Sequence, residues 1–238
     1  MRILLTNDDG YNAPGITLLY KRLQKFGEVV LLAPETSMSA KSVSITLGKP
    51  VNPVQVDQNI FYLNGTPADC AAFGLSTLSK EFDLLVSGCN NGWNISYDTM
   101  YSGTIGACLE SIKQGVPAIA ISCEGNFEIV DKYFDEVLDF ILKNKLVSRE
   151  YLLNVNFPLG EEVKDIQLGR LHYRNSKTFY IQTEEGYLAR RQLQDEKITD
   201  PKCDVYQVNH GVVSIVPLAK TYYNEDLLDA LESKIVTK

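Results

Sequence analysis

Ile3-Leu4-Leu5-Thr6-Asn7-Asp8-Asp9-Gly10, followed by the amphipathic stretch Gly15–Phe26 and the apolar run Val29-Val30-Leu31-Leu32-Ala33-Pro34, decides how this chain folds. Consecutive apolar residues without polar alternation read as strands buried on both faces. Between the two runs, Ile16, Leu18, Leu19 and Leu23 recur at helical spacing. Strand, helix and strand within about thirty residues make a βαβ unit, which implies a parallel pair and a right-handed crossover. Working outward, Asn7-Asp8-Asp9-Gly10 is then the turn at the carboxyl end of the first strand, where open α/β sheets place their ligands. Neighbouring side chains in a strand point to opposite faces, so Asp8 and Asp9 can converge only where the chain has left the ladder. Gly10 permits that bend. Like charges held in a crevice need a countercharge, and a divalent cation with oxygen ligands supplies it. The competing reading is a solvated turn in which Asp8 caps the next helix.

The same alternation continues along the chain. Thr66-Pro67-Ala68-Asp69 starts a helix that should run to about Leu78: Thr66 caps, Pro67 takes the first position and Asp69 closes a capping box. Asp83–Ser87 carries Leu84-Leu85-Val86 as a buried strand, Gly103–Gln114 reads as a helix, and Val116–Ser122 as a further strand. Val130, Phe134, Val137, Leu138 and Ile141 set a helix over Phe127–Leu142, and Leu152–Phe157 is one more strand, closed by Pro158. The pattern specifies an α/β fold, a Rossmann-like wound and mostly parallel sheet. Residues 1–158 form its core. The remainder, 159–238, is expected as a C-terminal extension of one overall domain. It holds a hairpin of Thr178–Thr183 and Tyr187–Leu193 around Glu184-Glu185-Gly186, a last strand Val212–Leu218 and a terminal helix Glu225–Ile235. The hairpin is polar on both sides, so it either projects toward another subunit or lies on its own sheet.

Bulk properties exclude several classes. The 238 residues are 45% apolar, enough for a substantial core, and carry a net charge of −7. No Lys/Arg cluster is larger than a pair such as Arg190-Arg191, so long nucleic acid is not an expected partner. Five widely spaced cysteines, Cys70, Cys89, Cys108, Cys123 and Cys203, read as reduced buried thiols and not as a disulfide framework or zinc site. The N-terminus turns polar at Thr6, too early for a signal peptide, and no run is long enough for a membrane span. These features point to a cytoplasmic protein.

Chemistry gathers after the strands. The second strand leads to Glu35-Thr36-Ser37-Met38-Ser39 and the third core strand to Gly88-Cys89-Asn90-Asn91-Gly92-Trp93-Asn94. Loops at the carboxyl ends of parallel strands share one edge of the sheet, so Asp8, Asp9, Ser39 and Asn90 can converge. Their ligand atoms are oxygens, which select Mg²⁺, Mn²⁺ or Ca²⁺ over zinc, and both histidines, His172 and His210, lie elsewhere. Tyr101-Ser102-Gly103-Thr104 opens a helix and makes a phosphate cradle of backbone N–H groups and hydroxyls, or else a plain serine cap. Trp93 and Tyr97 either stack on a base or pack the long loop down, and packing is the favoured reading.

At these residues the chain resembles the SurE family, the stationary-phase survival protein E nucleotidases. The shared blocks are Thr6-Asn7-Asp8-Asp9-Gly10, Ala33-Pro34 with Ser39, Ser44-Ile45-Thr46, Gly65-Thr66-Pro67-Ala68-Asp69-Cys70 and Ser87-Gly88-Cys89-Asn90 with Gly92 and Asn94. They continue with Asp98, Tyr101-Ser102-Gly103-Thr104, Asn154-Val155-Asn156-Phe157-Pro158, and Gly211 through Ser214 to Pro217-Leu218. The resemblance implies a metal-dependent phosphatase for nucleoside 5′- and 3′-monophosphates, assembled as a homodimer or homotetramer through an exchanged C-terminal extension. By position, Asp8, Asp9, Ser39 and Asn90 would hold one divalent cation per subunit, Asp8 and Asp9 would be catalytic, and Asn94, Ser102, Gly103 and Thr104 would line the phosphate pocket.

The chain departs from the family at four places. It has Ser42 and Ser96 where glycine is usual, Cys203 where Ser or Thr precedes Asp204, and Val216 where Thr precedes Pro217. None of these removes an expected metal ligand. Adjacent aspartates also differ from the one-residue spacing of haloacid-dehalogenase phosphatases, which favours water over an aspartyl nucleophile. Two rival readings are a metal-dependent nucleotide-sugar transferase and a catalytically silent nucleotide-binding protein.

Overall fold

The computed structural model describes residues 1–79, 81–173, 176–193 and 197–221. The helix expected over Glu225–Ile235 lies outside them. In chain order the strands are β1 (Arg2–Thr6), β2 (Glu28–Pro34), β3 (Pro53–Asp57), β4 (Ile60–Leu63), β5 (Leu84–Asn91), β6 (Ala118–Cys123), β7 (Tyr151–Asn156), β8 (Asp165–Leu168), β9 (Ser176–Thr183), β10 (Gly186–Leu193) and β11 (Val212–Ala219). The helices are α1 (Pro14–Leu23), α2 (Pro67–Phe73), α3 (Gly103–Lys113), α4 (Phe127–Lys143) and α5 (Asp204–Asn209). A π-helical turn, Gly74–Leu78, prolongs α2 to the residue expected from the sequence.

Nine strands form one sheet in the order β3-β4-β2-β1-β5-β6-β7-β11-β8, parallel throughout except at β3–β4 and β7–β11. The C-terminal strands β8 and β11 complete the same sheet as the first 158 residues. Continuous apolar strands fit here because both faces are covered. Ile3, Leu5, Leu31, Val86 and Ile121 pack under α1 and α4, while Leu4, Leu32, Leu85 and Ala120 pack under α2 and α3. Helix α4 buries Ile129, Val130, Phe134, Val137, Leu138 and Ile141 along one stripe, each worth roughly 1.5–3 kcal/mol relative to exposure. Asn126 starts it by accepting from the N–H groups of Glu128 and Ile129.

The chain moves from β1 outward through β2 and β4, then returns to the other side of β1 at β5. The order therefore reverses between β1 and β5, and the crevice at their carboxyl ends is the switch point at which doubly wound sheets bind ligands. The second sheet consists of β9 and β10 alone, paired antiparallel from Gly186 opposite Thr183 to Leu193 opposite Ser176. Phe179, Tyr180, Ile181, Tyr187 and Leu188 on it are exposed. The hairpin pairs only with itself and does not extend the large sheet.

Candidate active site

The turn after β1 is closed by Asn7, whose side chain donates Nδ2–H to the Gly10 carbonyl at 2.9 Å and accepts from the Gly10 N–H at 3.2 Å. Gly10 has φ +110°, a left-handed conformation that glycine tolerates. This turn aims Asp8 toward α3 and Asp9 toward the end of β5. Asp8 is 4% exposed; its Oδ1 accepts from the Thr104 hydroxyl at 2.6 Å. The Gly103 N–H also faces this carboxylate and favours its ionised form. Burial pushes the Asp8 carboxyl up to about 6, opposed by the Thr104 hydroxyl and reinforced by the adjacent Asp9. Asp9 is raised too, again by burial, against the Asn91 N–H that approaches its Oδ2 at 3.3 Å.

The remaining oxygen donors arrive from the neighbouring strands. The loop after β2 is tied to the pair through the Met38 N–H, which donates to the Asp8 carbonyl at 2.7 Å. Ser39 follows on the exposed side, its Oγ 3.1 Å from that of Ser37. Asn90 lies within β5 and not in a loop: pairing with β6 breaks register between Ser87 and Asn90, which turns the strand end toward the crevice. Its Nδ2 donates to the Gly92 carbonyl at 2.7 Å, a bond that fixes the amide so that Oδ1 is the remaining ligand atom. The structure thus brings Asp8, Asp9, the Ser39 loop and Asn90 to one crevice. Among the described residues no group of three His, Cys, Asp or Glu side chains forms a metal site. Two carboxylates, one hydroxyl and one amide are instead an all-oxygen set suited to a hard cation that keeps several waters.

Ser102, Gly103 and Thr104 open α3 beside this set. Ser102 caps the helix, its Oγ accepting from the Ile105 N–H at 3.2 Å, so the plain capping role is real and leaves its O–H proton to donate outward. A Cβ on Gly103 would lie 2.8 Å from the Asp8 Cβ, so glycine is what allows α3 to approach Asp8 this closely. Thr104 spends its proton on Asp8 and is an orienting group for it. Asn94 stands apart. It is 5% exposed, its Nδ2 donates to Ser122 Oγ at 2.9 Å, and its carbonyl accepts from the amides of Asn154 and Asn156.

The aromatic side chains of the long loop pack. Trp93 joins a cluster with Ile95, Cys203, Val205 and Val208 and donates its indole N–H to the Phe157 carbonyl at 2.6 Å; Tyr97 lies against Tyr173. Three residues seen in the sequence only as part of the resemblance anchor the site: Asp204, which accepts from the Ser96 N–H across the fold, and the pair Asn154 and Asn156 under Asn94. Their signal was three polar residues inside or beside otherwise apolar segments.

Both serines that replace family glycines occupy left-handed backbone, Ser42 at φ +52° and Ser96 at φ +55°. A non-glycine residue there costs roughly 1–2 kcal/mol. Ser42 recovers part of this by donating its Oγ–H to the Met100 carbonyl at 2.9 Å. Ser42→Gly is therefore expected to leave stability within about 1 kcal/mol of native, whereas Ser42→Ala keeps the strain, loses the bond and costs about 1 kcal/mol. Urea denaturation separates the two effects: a Ser42→Ala midpoint equal to the native one would show that the hydroxyl contributes nothing, and equal midpoints for the two variants would show that the left-handed backbone carries no strain.

A family model described as "Survival protein SurE" matches residues 3–178. A protein named 5′-nucleotidase SurE from Haemophilus influenzae is 38% identical over 231 residues, covering 92% of this chain and 91% of that one. One of the same name from Acinetobacter baylyi is 34% identical over 259 residues, covering 99% and 100%. The crystal structure of the SurE protein from Aquifex aeolicus superposes with a TM-score of 0.85 at 31% identity, covering 98% of this chain and 99% of that one.

Proposed function

From the premise that this chain belongs to the SurE family, we propose that it is a metal-dependent 5′-nucleotidase, hydrolysing nucleoside 5′- and 3′-monophosphates to nucleoside and phosphate. The observation that carries this reading is the buried Asp8 carboxylate, pressed against Asp9 and held by donors from α3 at the switch point of the sheet. The nucleotidase names of relatives matched nearly end to end favour it over a nucleotide-sugar transferase or a silent binding protein.

Asp8, Asp9, Ser39 and Asn90 would hold one divalent cation, Mg²⁺ or Mn²⁺ before Ca²⁺. When bound, it supplies positive charge to the phosphoryl oxygens and acidifies water. The N-terminus of α3 would offer the Thr104 N–H and the Ser102 hydroxyl to the phosphate, at a helix end whose dipole favours an anion. Thr104 keeps Asp8 in one rotamer, so the carboxylate is preorganised. Asp9, less buried than Asp8, would accept the proton of the attacking water. Asn94, whose amide is committed to Ser122, would serve the phosphate pocket only indirectly, through the loop that it anchors. Five free, buried cysteines suit a cytoplasmic protein, and the exposed aromatic hairpin of β9 and β10 suits self-association.

The test is release of inorganic phosphate from a panel of nucleoside 5′- and 3′-monophosphates after chelation and after return of Mg²⁺ or Mn²⁺. Release that depends on the metal and is confined to the nucleotides is the expected result. Undiminished release in excess chelator, or none with metal present and the protein folded, would sink the proposal.

A further inference from the structure

The loop Glu35–Val51 carries Ser39 but buries no apolar side chain fully: Val43 and Val51 are half-buried, Ile45 and Leu47 are exposed, and its backbone makes no regular structure up to β3. Segments with few buried apolar contacts are positioned by their polar tethers. Here the tethers converge on one carboxylate. Asp69, 5% exposed in the first turn of α2, accepts from the Thr46 N–H at 2.9 Å and from the Thr46 hydroxyl at 2.6 Å. It also accepts from the Thr66 N–H at 2.8 Å, and the Thr66 hydroxyl in turn donates to the Ser44 carbonyl at 2.6 Å. A Cβ at Gly65 would lie 2.9 Å from Asp69 Oδ2, so the approach is built around a glycine.

A capping box alone would need only the Thr66 contacts. The two bonds to Thr46 are additional and join the helix to the loop. Upstream, the loop is held by the Met38 N–H on the Asp8 carbonyl and by the Ser42 N–H on the Tyr101 carbonyl. Ser39 lies between these two points, and the Thr46–Asp69 bonds hold the chain where it leaves them. Hydrogen bonds to a buried carboxylate are the stronger kind, and α2 itself is seated beside the site, since Pro67 comes within contact of position 103.

We propose that Asp69 and Thr46 are positioning residues that set the loop bearing Ser39 and thereby tune cation affinity, an inference that rests on Ser39 being a ligand. Thr46→Val keeps shape and N–H but removes the hydroxyl bond; Thr46→Ser restores it. The probe is Mn²⁺ itself, titrated by calorimetry against the full chain and, separately, in the phosphate-release assay. In Thr46→Val the Mn²⁺ midpoint should rise about fivefold to tenfold, with kcat at saturating Mn²⁺ within about twofold of native and Thr46→Ser near native. A native Mn²⁺ midpoint in Thr46→Val, even with a lowered melting temperature, would overturn the clasp and leave Asp69 a helix cap only. Ser39→Ala runs in parallel: a native midpoint there, with the Thr46→Val midpoint still raised, would overturn the Ser39 assignment while keeping the clasp.

Discussion

Asp8→Asn is expected to lower metal-dependent phosphate release on the order of a thousandfold while making the metal-free protein more stable at pH 8. Both effects come from the same burial. The folded chain holds the Asp8 proton up to about pH 6, against an ordinary value of 3.8. A raised carboxyl means that the native state binds the proton more tightly than the unfolded chain, so its contribution to stability falls as pH rises through that window. Above pH 6 the ionised, buried group costs about 3 kcal/mol by linkage. Asparagine is not ionised at any pH in this range, and its carbonyl still accepts from Thr104. Its amide protons, however, face the Gly103 N–H, which returns part of the gain, so the net stabilisation should be on the order of 1–3 kcal/mol. A cation in the crevice cancels the cost in the native protein, and with it the ordering of the two proteins reverses. Calorimetric melting in chelator and in Mn²⁺, at pH 5 and pH 8, reads all four states. Native-like phosphate release, or a variant that is less stable than native at pH 8 in chelator, would remove Asp8 from the centre of the site.

The parts of this architecture that sequence patterns reveal are those whose residues face an apolar core. The first strand, α1 and β2 are legible because Ile3 to Leu5 and Val29 to Ala33 alternate between two covered faces, leaving no polar position to confuse the reading. Strands β3 and β8 are not. Pro53–Asp57 is wholly exposed and Asp165–Leu168 nearly so, and as edge strands they are held by backbone pairing to β4 and β11, which leaves no periodic trace. The sequence pattern ends this strand before Asn90, because Gly88 interrupts it. The backbone at Gly88, φ +134°, absorbs the break and the strand resumes beyond it.

The site divides in the same way. Asp8 with Asp9, and Ser102 to Thr104, are short contiguous groups whose chemistry is local, so their spacing shows what they can bind. The tethers that hold the surrounding loops are long-range pairs of single polar residues. Asp204 meets Ser96 across 108 positions, and Asp69 meets Thr46 across 23. Neither pairing has a periodicity or a spacing rule from which it could be read.

Gly103→Ala carries the second large effect and tests whether the close seating of α3 on the turn after β1 is the catalytic geometry. The new Cβ would lie 2.8 Å from the Asp8 Cβ, and 3.1 Å from both Asp8 Oδ2 and Pro67 Cγ. None of these neighbours is free to give way. Asp8 is held through its carbonyl by Met38 and through its carboxylate by Thr104, and Pro67 is the first residue of a helix fixed by the Thr66 and Asp69 capping box. The contact must therefore be relieved by moving Asp8 or the first turn of α3. Overpacking of this kind costs roughly 1–3 kcal/mol of stability, and a shift of about 1 Å in a positioned group costs on the order of a hundredfold in rate. Gly106→Ala is the comparison, because its Cβ would meet the Ser42 carbonyl oxygen at 2.0 Å and force the loop that carries Ser39 off its tether to the Tyr101 carbonyl. Gly106→Ala should therefore weaken Mn²⁺ binding through that loop more than it lowers kcat. In Gly103→Ala the loss should fall on kcat at saturating Mn²⁺ and nucleotide. If kcat and the Mn²⁺ midpoint of Gly103→Ala both match the native enzyme, the contact between α3 and Asp8 is packing alone, and the phosphate must be bound elsewhere along the crevice.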